Sequence, residues 1–202
     1  MPNQIEAHGR SAQHPVHDIF LERWSPRAFT GEAIPQAVLN TILEAGRWAP
    51  SAFNAQPWRF VYARRDTADW DRLFGLLAPF NQLWCRNAAA LIFVFSKTTF
   101  RAPGKDEDEA SRSHAFDAGA AWAHIALQTT LLGWHAHAML GFDHEAALSA
   151  LKAPIAYRAQ AAIAIGRRGE RTLLDEALAK REVPSERLPL DRIAKEGAFP
   201  PG

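Results

Sequence analysis

The 202-residue chain has one cysteine, Cys85, and a net charge of only +1. A single cysteine excludes an intramolecular disulfide framework and favours a reducing compartment. So small a charge provides no broad basic surface, and we therefore expect neither nucleic acid nor membrane as a partner. The longest apolar run, residues 88–95, is too short to span a bilayer, and the N-terminus lacks the apolar stretch of a signal peptide. We predict a cytoplasmic protein.

Aromatic residues are abundant, with seven Trp and twelve Phe. Such side chains pack ordinary cores, but they also favour a large subunit interface or a pocket for a flat ligand. The length and the 48% hydrophobic content suit one domain with a sizeable core. We predict a loose N-terminal tail over residues 1–15 and a single domain over residues 16–202.

Helical and alternating hydrophobic patterns follow one another along the chain. The predicted helices cover residues 17–25, 35–49, 66–78, 115–133 and 143–151. The predicted strands cover residues 59–64, 89–96, 134–140 and 159–166. Asp66 and Asp143 are predicted N-caps. The charged stretch 97–114 has no periodicity and is predicted to be a mobile surface loop, and the Pro-punctuated segment 180–193 an irregular arm. The connections are too irregular for simple βαβ winding, so we predict an α+β fold with a central mixed β-sheet flanked by helices.

Two short polar segments interrupt these patterns. In "ERWSPRAF" (22–29), Arg23, Ser25 and Arg27 fall beside a helix-breaking proline. Guanidinium groups bind phosphate bidentately and a hydroxyl adds a hydrogen bond, although a solvated charged turn has the same composition.

The second segment is "APSAFNAQP" (49–57), which follows the predicted helix 35–49. Ser51, Asn54 and Gln56 are neutral hydrogen-bonding groups suited to the edge of a heteroaromatic ring or to a polyol. Ser and Asn are also common in turns for purely local reasons, so a capped loop is the alternative.

Together with two later motifs, these segments resemble the nitroreductase family, whose members are flavoenzymes that use FMN and NAD(P)H. The family's motifs appear here in order as "RWSPRAF", "APSAFNAQPW", "LGFD" (140–143) and "RLPL" (187–190). The resemblance spans about residues 18–195 and is specific because four motifs match in order. It implies a nitroreductase-like fold with extended dimerising arms and an FMN site at a homodimer interface.

The resemblance also implies roles for individual residues. Arg23, Ser25 and Arg187 would hold the FMN phosphate, and Arg27 would reach the ribityl chain or the N1/O2 side of the ring. A backbone N–H at Leu140 or Gly141 would face flavin N5. The loop around Asn54 would come from the partner subunit. The full implied set of cofactor-binding residues is Arg23, Trp24, Ser25, Arg27, Pro50, Ser51, Asn54, Gln56, Asn81, Leu140, Gly141 and Arg187.

The implied reaction is ping-pong hydride transfer from NADH or NADPH through flavin N5 to a flat acceptor such as a nitroaromatic, a quinone or an enone. The cofactor performs the redox chemistry, so we expect no catalytic side-chain acid, base or nucleophile. A flavin reductase, a dehalogenase-type enzyme of the same fold and a non-catalytic flavin-binding protein are the alternatives.

Other residues have an ordinary and a functional interpretation. His135 and His137 form an H-x-H metal fragment, but no third ligand is evident, so we predict ordinary hydrogen bonds and no metal site. Cys85 is predicted to be a buried structural cysteine rather than a reactive thiol. Its neighbour Trp84 occupies a position where some family members have a lysine near the flavin pyrimidine ring.

Overall fold

A computed structural model describes residues 8–201, in which helices surround a four-stranded sheet. Residues 1–7 of the predicted N-terminal tail lie outside this range. The helices and strands are, in chain order, α1 Ile19–Glu22, α2 Gln36–Arg47, β1 Trp58–Arg64, α3 Trp70–Phe74, α4 Pro79–Cys85, β2 Ala90–Lys97, β3 Thr99–Phe100, β4 Glu109–Ala110, α5 His114–Leu131, β5 His135–Met139, α6 His144–Ala150, β6 Tyr157–Gly166 and α7 Glu176–Ala179.

The central sheet has the strand order β1-β2-β6-β5, so β1 and β5 are its two edges. All three of its pairings are antiparallel, with Trp58 opposite Ser96 at one end of the β1–β2 ladder. The α+β architecture is confirmed. Within one chain the strand directions are uniformly antiparallel rather than mixed.

Strand β2 is buried on both faces, as its continuous apolar sequence predicts. Because side chains alternate along a strand, Leu91, Phe93 and Phe95 enter the core beneath α3, α4 and α6. Ala90, Ile92 and Val94 face the core formed with α2 and α5, and the side chains of β6 alternate between the two cores in the same way. The sheet therefore separates two hydrophobic cores, one on each of its faces.

Most predicted elements are confirmed to within a few residues, and Asp143 caps α6 by accepting a hydrogen bond from the N–H of Ala146 at 2.9 Å. The predicted helix 66–78 is wrong in extent. Asp66 has a left-handed φ of 64° and lies in a turn, and only Trp70–Phe74 is helical.

Two further segments differ from expectation. Pro79, at the first turn of α4, begins a helix that we did not predict. The stretch 97–114 contains a short antiparallel hairpin, in which Thr99 pairs with Ala110, rather than an entirely irregular loop. Among the described residues, no helix has the length and apolarity needed to cross a bilayer.

Candidate functional site

The first candidate binding segment, residues 23–28, follows α1 and lies outside any helix or strand. The helix ends at Arg23, whose ψ of 116° is extended, and the following proline prevents helical continuation. This conformation brings Arg23 Nη1 to 3.3 Å from Ser25 Oγ. A guanidinium and a hydroxyl therefore lie side by side, as anion binding requires.

Arg23 lies among cations. Burial lowers its pKa most, and the positive charges of Arg187 and Arg10 lower it further. Among residues 8–201, no carboxylate forms an ion pair with Arg23. A half-buried guanidinium whose charged neighbours are all cationic is suited to an anionic ligand, and a phosphate group fits that requirement.

A buried carboxylate holds the backbone of the same segment. Glu182, only 9% exposed, follows α7 and accepts hydrogen bonds from the backbone N–H of Arg27 at 2.8 Å and of Ala28 at 2.9 Å. Charge-assisted bonds of this kind are stronger than neutral ones. The C-terminal region thereby fixes the backbone that carries Arg27.

The Arg27 side chain lies next to a buried aromatic pair. Its Cζ is 6.0 Å from the centre of the Trp84 ring, and the centre of the His137 ring is 4.6 Å from that of Trp84. Burial, and then the charge of Arg27, lowers the pKa of His137 to about 4. Its Nδ1 lies 3.1 Å from the Pro26 carbonyl oxygen, which can only accept, so the neutral ring carries its proton there.

The loop after β5 is tied to this group through Asn81. Trp84 Nε1 donates to Asn81 Oδ1 at 3.2 Å, and Asn81 Nδ2 donates to the Gly141 carbonyl oxygen at 2.8 Å. A Cβ on Gly141 would lie 2.5 Å from Asn81 Nδ2, so only glycine fits there without displacement. Trp84 thus links Arg27 to the Leu140–Gly141 loop.

Leu140 and Gly141 present free backbone donors. Neither N–H has a hydrogen-bond acceptor within residues 8–201, and the Leu140 side chain is 71% exposed. The carbonyl oxygen of Gly141, in contrast, is hydrogen-bonded within the chain, since it also accepts from the N–H of Ala78 at 2.9 Å. Two N–H groups are left to face a ligand.

The second binding segment, residues 50–57, has an unusual backbone. Phe53, Asn54 and Gln56 all have left-handed φ values, 53°, 53° and 47°, which non-glycine residues rarely adopt. Ser51 Oγ accepts from the N–H of Gln56 at 3.0 Å and stabilises the loop from within. Strained backbone of this kind is concentrated at ligand sites.

Buried Asp117, from the first turns of α5, supports this loop from beneath. Its Oδ2 accepts a 2.9 Å hydrogen bond from Ser113 Oγ, and its Oδ1 is 3.4 Å from the N–H of Ala52. The side chains of Asn54 and Gln56 remain exposed at the surface. The loop is therefore held open rather than folded onto the core.

The two binding segments lie at opposite edges of the sheet. Residues 50–57 lead into β1, whereas Pro26 contacts His137 on β5. Three strand spacings separate these edges, about 14 Å. Phe29 also bridges Arg168 beyond the end of β6, far from the Trp58 end of β1. No hydrogen bond or ion pair among residues 8–201 joins the two segments.

The structure revises the environment of two predicted site residues. Trp24 is 7% exposed and its ring meets that of His8 edge-on at 6.1 Å, so its indole lies inside the protein. Asn81 is 9% exposed and uses both amide atoms within the chain. Each stays a predicted cofactor contact.

Sequence reasoning missed several residues that shape the site, namely Arg10, Glu182 and His137. Arg10 lies in the predicted loose tail but is 8% exposed. Glu182, an acidic residue within the predicted arm, and His137, in the H-x-H fragment, were visible in the sequence. Neither pattern indicates which segment of the chain these residues contact. Among the described residues, no three potential metal ligands are grouped together.

The chain is similar in sequence to a known protein family. The Nitroreductase family model matches residues 21–79, which include both binding segments. An NADH dehydrogenase of Thermus thermophilus is 31% identical over 200 residues, covering 86% of this chain and 91% of that protein.

Solved structures match over nearly the whole chain. A crystal structure of an oxidoreductase containing FMN has 46% identity and a TM-score of 0.92, covering 95% of this chain and 96% of its own. A Desulfovibrio desulfuricans protein assigned as a nitroreductase, in complex with FMN, has 30% identity and a TM-score of 0.68. That match covers 94% of this chain and 100% of the other.

Proposed function

Because this chain belongs to the nitroreductase family, we propose that it is an FMN-dependent oxidoreductase working as a homodimer. NADH or NADPH would be the hydride donor and a flat nitroaromatic, quinone or enone the acceptor. Donor and acceptor would occupy the site in turn, in a ping-pong sequence. The observation that carries this proposal is the half-buried Arg23, which lies 3.3 Å from the Ser25 hydroxyl and forms no ion pair with a carboxylate among residues 8–201.

The phosphate end of FMN would bind at Arg23 and Ser25, with Arg187 as a further cation. The 3.3 Å contact between Arg23 and Ser25 already pre-orients two donors. Arg187 is exposed, and its Nη1 donates to the carbonyl oxygen of Ser185 at 3.1 Å, which anchors the guanidinium on the C-terminal arm. The arm therefore contributes to the same cationic surface.

The flavin ring would lie over the Leu140–Gly141 loop. FMN supplies hydride transfer at its N5 position, and the protein supplies orientation and charge. The free N–H groups of this loop suit hydrogen bonding at N5. Arg27, held by Glu182 and next to Trp84, provides the cation that would stabilise negative charge on the N1/O2 side.

A second copy of the chain would complete the site with Pro50, Ser51, Asn54 and Gln56. The supporting observation is that these residues lie at the opposite sheet edge from Arg23. The C-terminal region also exposes large apolar side chains, with Leu188, Ile193 and Phe199 at 68%, 58% and 92% exposure. A monomer rarely leaves so many exposed together, and an interface with a second copy would bury them.

The test is flavin content and turnover of the purified protein. We expect a yellow protein that oxidises NADH or NADPH and passes the electrons to an added nitroaromatic or quinone. Arg23→Ala should yield largely flavin-free protein, whereas Lys195→Ala, which removes an exposed cation just beyond the C-terminal arm, should stay yellow. Full flavin occupancy in Arg23→Ala would contradict the phosphate assignment.

The same assay separates the alternatives. Turnover only with added free FMN would indicate a flavin reductase, and turnover only with halogenated aromatics a dehalogenase-type enzyme. Tight flavin binding without any oxidation of NADH or NADPH would indicate a non-catalytic binding protein. The single cysteine and the nicotinamide donor both suit a reducing compartment, so we place the enzyme in the cytoplasm.

A further inference from the structure

We propose that Arg10 is a third guanidinium of the phosphate site and makes the protein select FMN over its dephosphorylated form, riboflavin. This inference rests on the proposed function and adds a residue outside the motifs of the sequence. It assigns a binding role to the N-terminal segment, in which the sequence patterns indicate none.

Arg10 is fixed against the segment that carries Arg23. It is 8% exposed, and its Nη2 donates to the backbone carbonyl oxygens of Leu21 and, at 3.3 Å, of Arg23. Its Nε is also buried and has no hydrogen-bond partner in the described chain. A buried donor without an acceptor is costly, and a phosphate oxygen would satisfy it.

The N-terminal segment and the C-terminal arm meet at this point. Arg10 and Arg187 line the same cleft, of about 370 Å³, together with Phe20 and Glu186. Close by, Gln13 Oε1 accepts a 2.7 Å hydrogen bond from the backbone N–H of Leu190, which joins the two segments. The contact between the N-terminal segment and the C-terminal arm therefore places two arginines in the lining of one cleft.

Arg10 and Arg187 are both charged neighbours of Arg23, where the phosphate would bind. Burial and then the charge of Arg187 lower the pKa of Arg10, whereas the carboxylates of Glu186 and Glu22 raise it. These two carboxylates offset part of the charge at Arg10, whereas the positive charges of Arg187 and Arg10 lower the pKa of Arg23. A ligand with a doubly charged phosphate complements the three arginines, and a neutral ribityl alcohol does not.

The test compares two ligands that differ only in the phosphate. Flavin is removed from the purified dimer, and dissociation constants for FMN and riboflavin are measured by quenching of flavin fluorescence. The variants are Arg10→Ala, Arg10→Gln, which keeps a carbonyl-bonding donor without charge, and Arg10→Lys, which keeps the charge. Lys195→Ala is the matched control, since it removes one C-terminal cation that does not line this cleft.

We expect Arg10→Ala and Arg10→Gln to bind FMN about tenfold more weakly, as loss of one charge-assisted contact implies, with riboflavin binding changed less than about twofold. Arg10→Lys should recover most of the FMN affinity, and Lys195→Ala should match the wild type.

Equal weakening for both flavins would show that Arg10 only supports the fold, and unchanged FMN affinity would show that it lies outside the site. Either result overturns the inference while leaving the proposed function intact. If Arg10→Ala does not fold, the Gln and Lys variants decide between the same outcomes. Wild-type protein that binds neither flavin would instead refute the proposed function.

Discussion

Substitution of Gly141 by alanine tests how the Leu140–Gly141 loop is held. The added Cβ would lie 2.5 Å from Asn81 Nδ2, against at least 3.4 Å for ordinary contact. Asn81 must therefore retreat by about 1 Å, which lengthens its 2.8 Å bond to the Gly141 carbonyl oxygen beyond hydrogen-bond range. The same movement withdraws the acceptor of Trp84 Nε1 inside the core.

The magnitude follows from these two losses. A neutral hydrogen bond contributes about 1 kcal/mol, and a buried unpaired donor costs about 1–3 kcal/mol. We expect Gly141→Ala to lower the free energy of unfolding by about 2–3 kcal/mol. In an Asn81→Ala background the nearest remaining contact is Ala78 Cβ at 3.7 Å, so the same change should cost less than about 0.5 kcal/mol.

The assay is urea unfolding of the wild type, both single variants and the double variant, followed by tryptophan fluorescence. Protein and FMN concentrations are held constant, because dimerisation and ligand binding both shift apparent stability. The expected coupling energy between the two sites is about 2 kcal/mol. Additive effects, within about 0.5 kcal/mol, would refute the contact between Asn81 and the loop.

Three further predictions concern buried groups. Glu182→Gln should lower the free energy of unfolding by about 1–2 kcal/mol in urea, because its charged acceptor is lost, while Glu176→Gln, an exposed control, should change it by less than about 0.5 kcal/mol. The pKa of His137 is lowered from 6.5 to about 4, so the unfolded chain binds the extra proton first and stability should fall as pH drops from about 6.5 to 4. The His137→Gln variant should lose less stability than the wild type over that interval. Part of the pH dependence should remain, because the pKa of His135 is also lowered to about 4. A variant whose pH profile is identical to that of the wild type would contradict a buried neutral ring at His137. Burial raises the pKa of the Cys85 thiol, so native protein should not react with a disulfide reagent at pH 8 and urea-unfolded protein should; fast reaction of the native protein would contradict its burial.

Local chemistry explains the parts of the fold that the sequence predicts well. Strand β2 is recognisable because a continuous apolar run can only be buried on both faces. Helix α6 is recognisable because Asp143 caps it within its own turn. The binding segments are likewise continuous in sequence, and their polar residues were identifiable from composition and from the family resemblance.

Contacts between distant parts of the chain explain what the sequence does not predict. Glu182 binds backbone groups 155 and 154 positions away, and such a pairing has no sequence period. Arg10 is buried because α1 and the C-terminal arm meet over it, although its own segment is polar. The predicted helix 66–78 ends directly before Pro79, but the sequence does not indicate that α3 stops at Phe74 or that Pro79 begins α4.

The most direct test of the shared site is complementation between two defective subunits. One variant carries Arg23→Ala and the other carries Ser51→Ala with Asn54→Ala, and both are co-expressed with different tags so that the mixed dimer can be isolated. Each parent dimer should lack flavin at both sites. The mixed dimer combines one intact arginine segment with one intact loop, so it should bind flavin at one of its two sites and recover NAD(P)H oxidation. A mixed dimer as colourless as its parents, prepared with excess FMN, would contradict a site built from two chains.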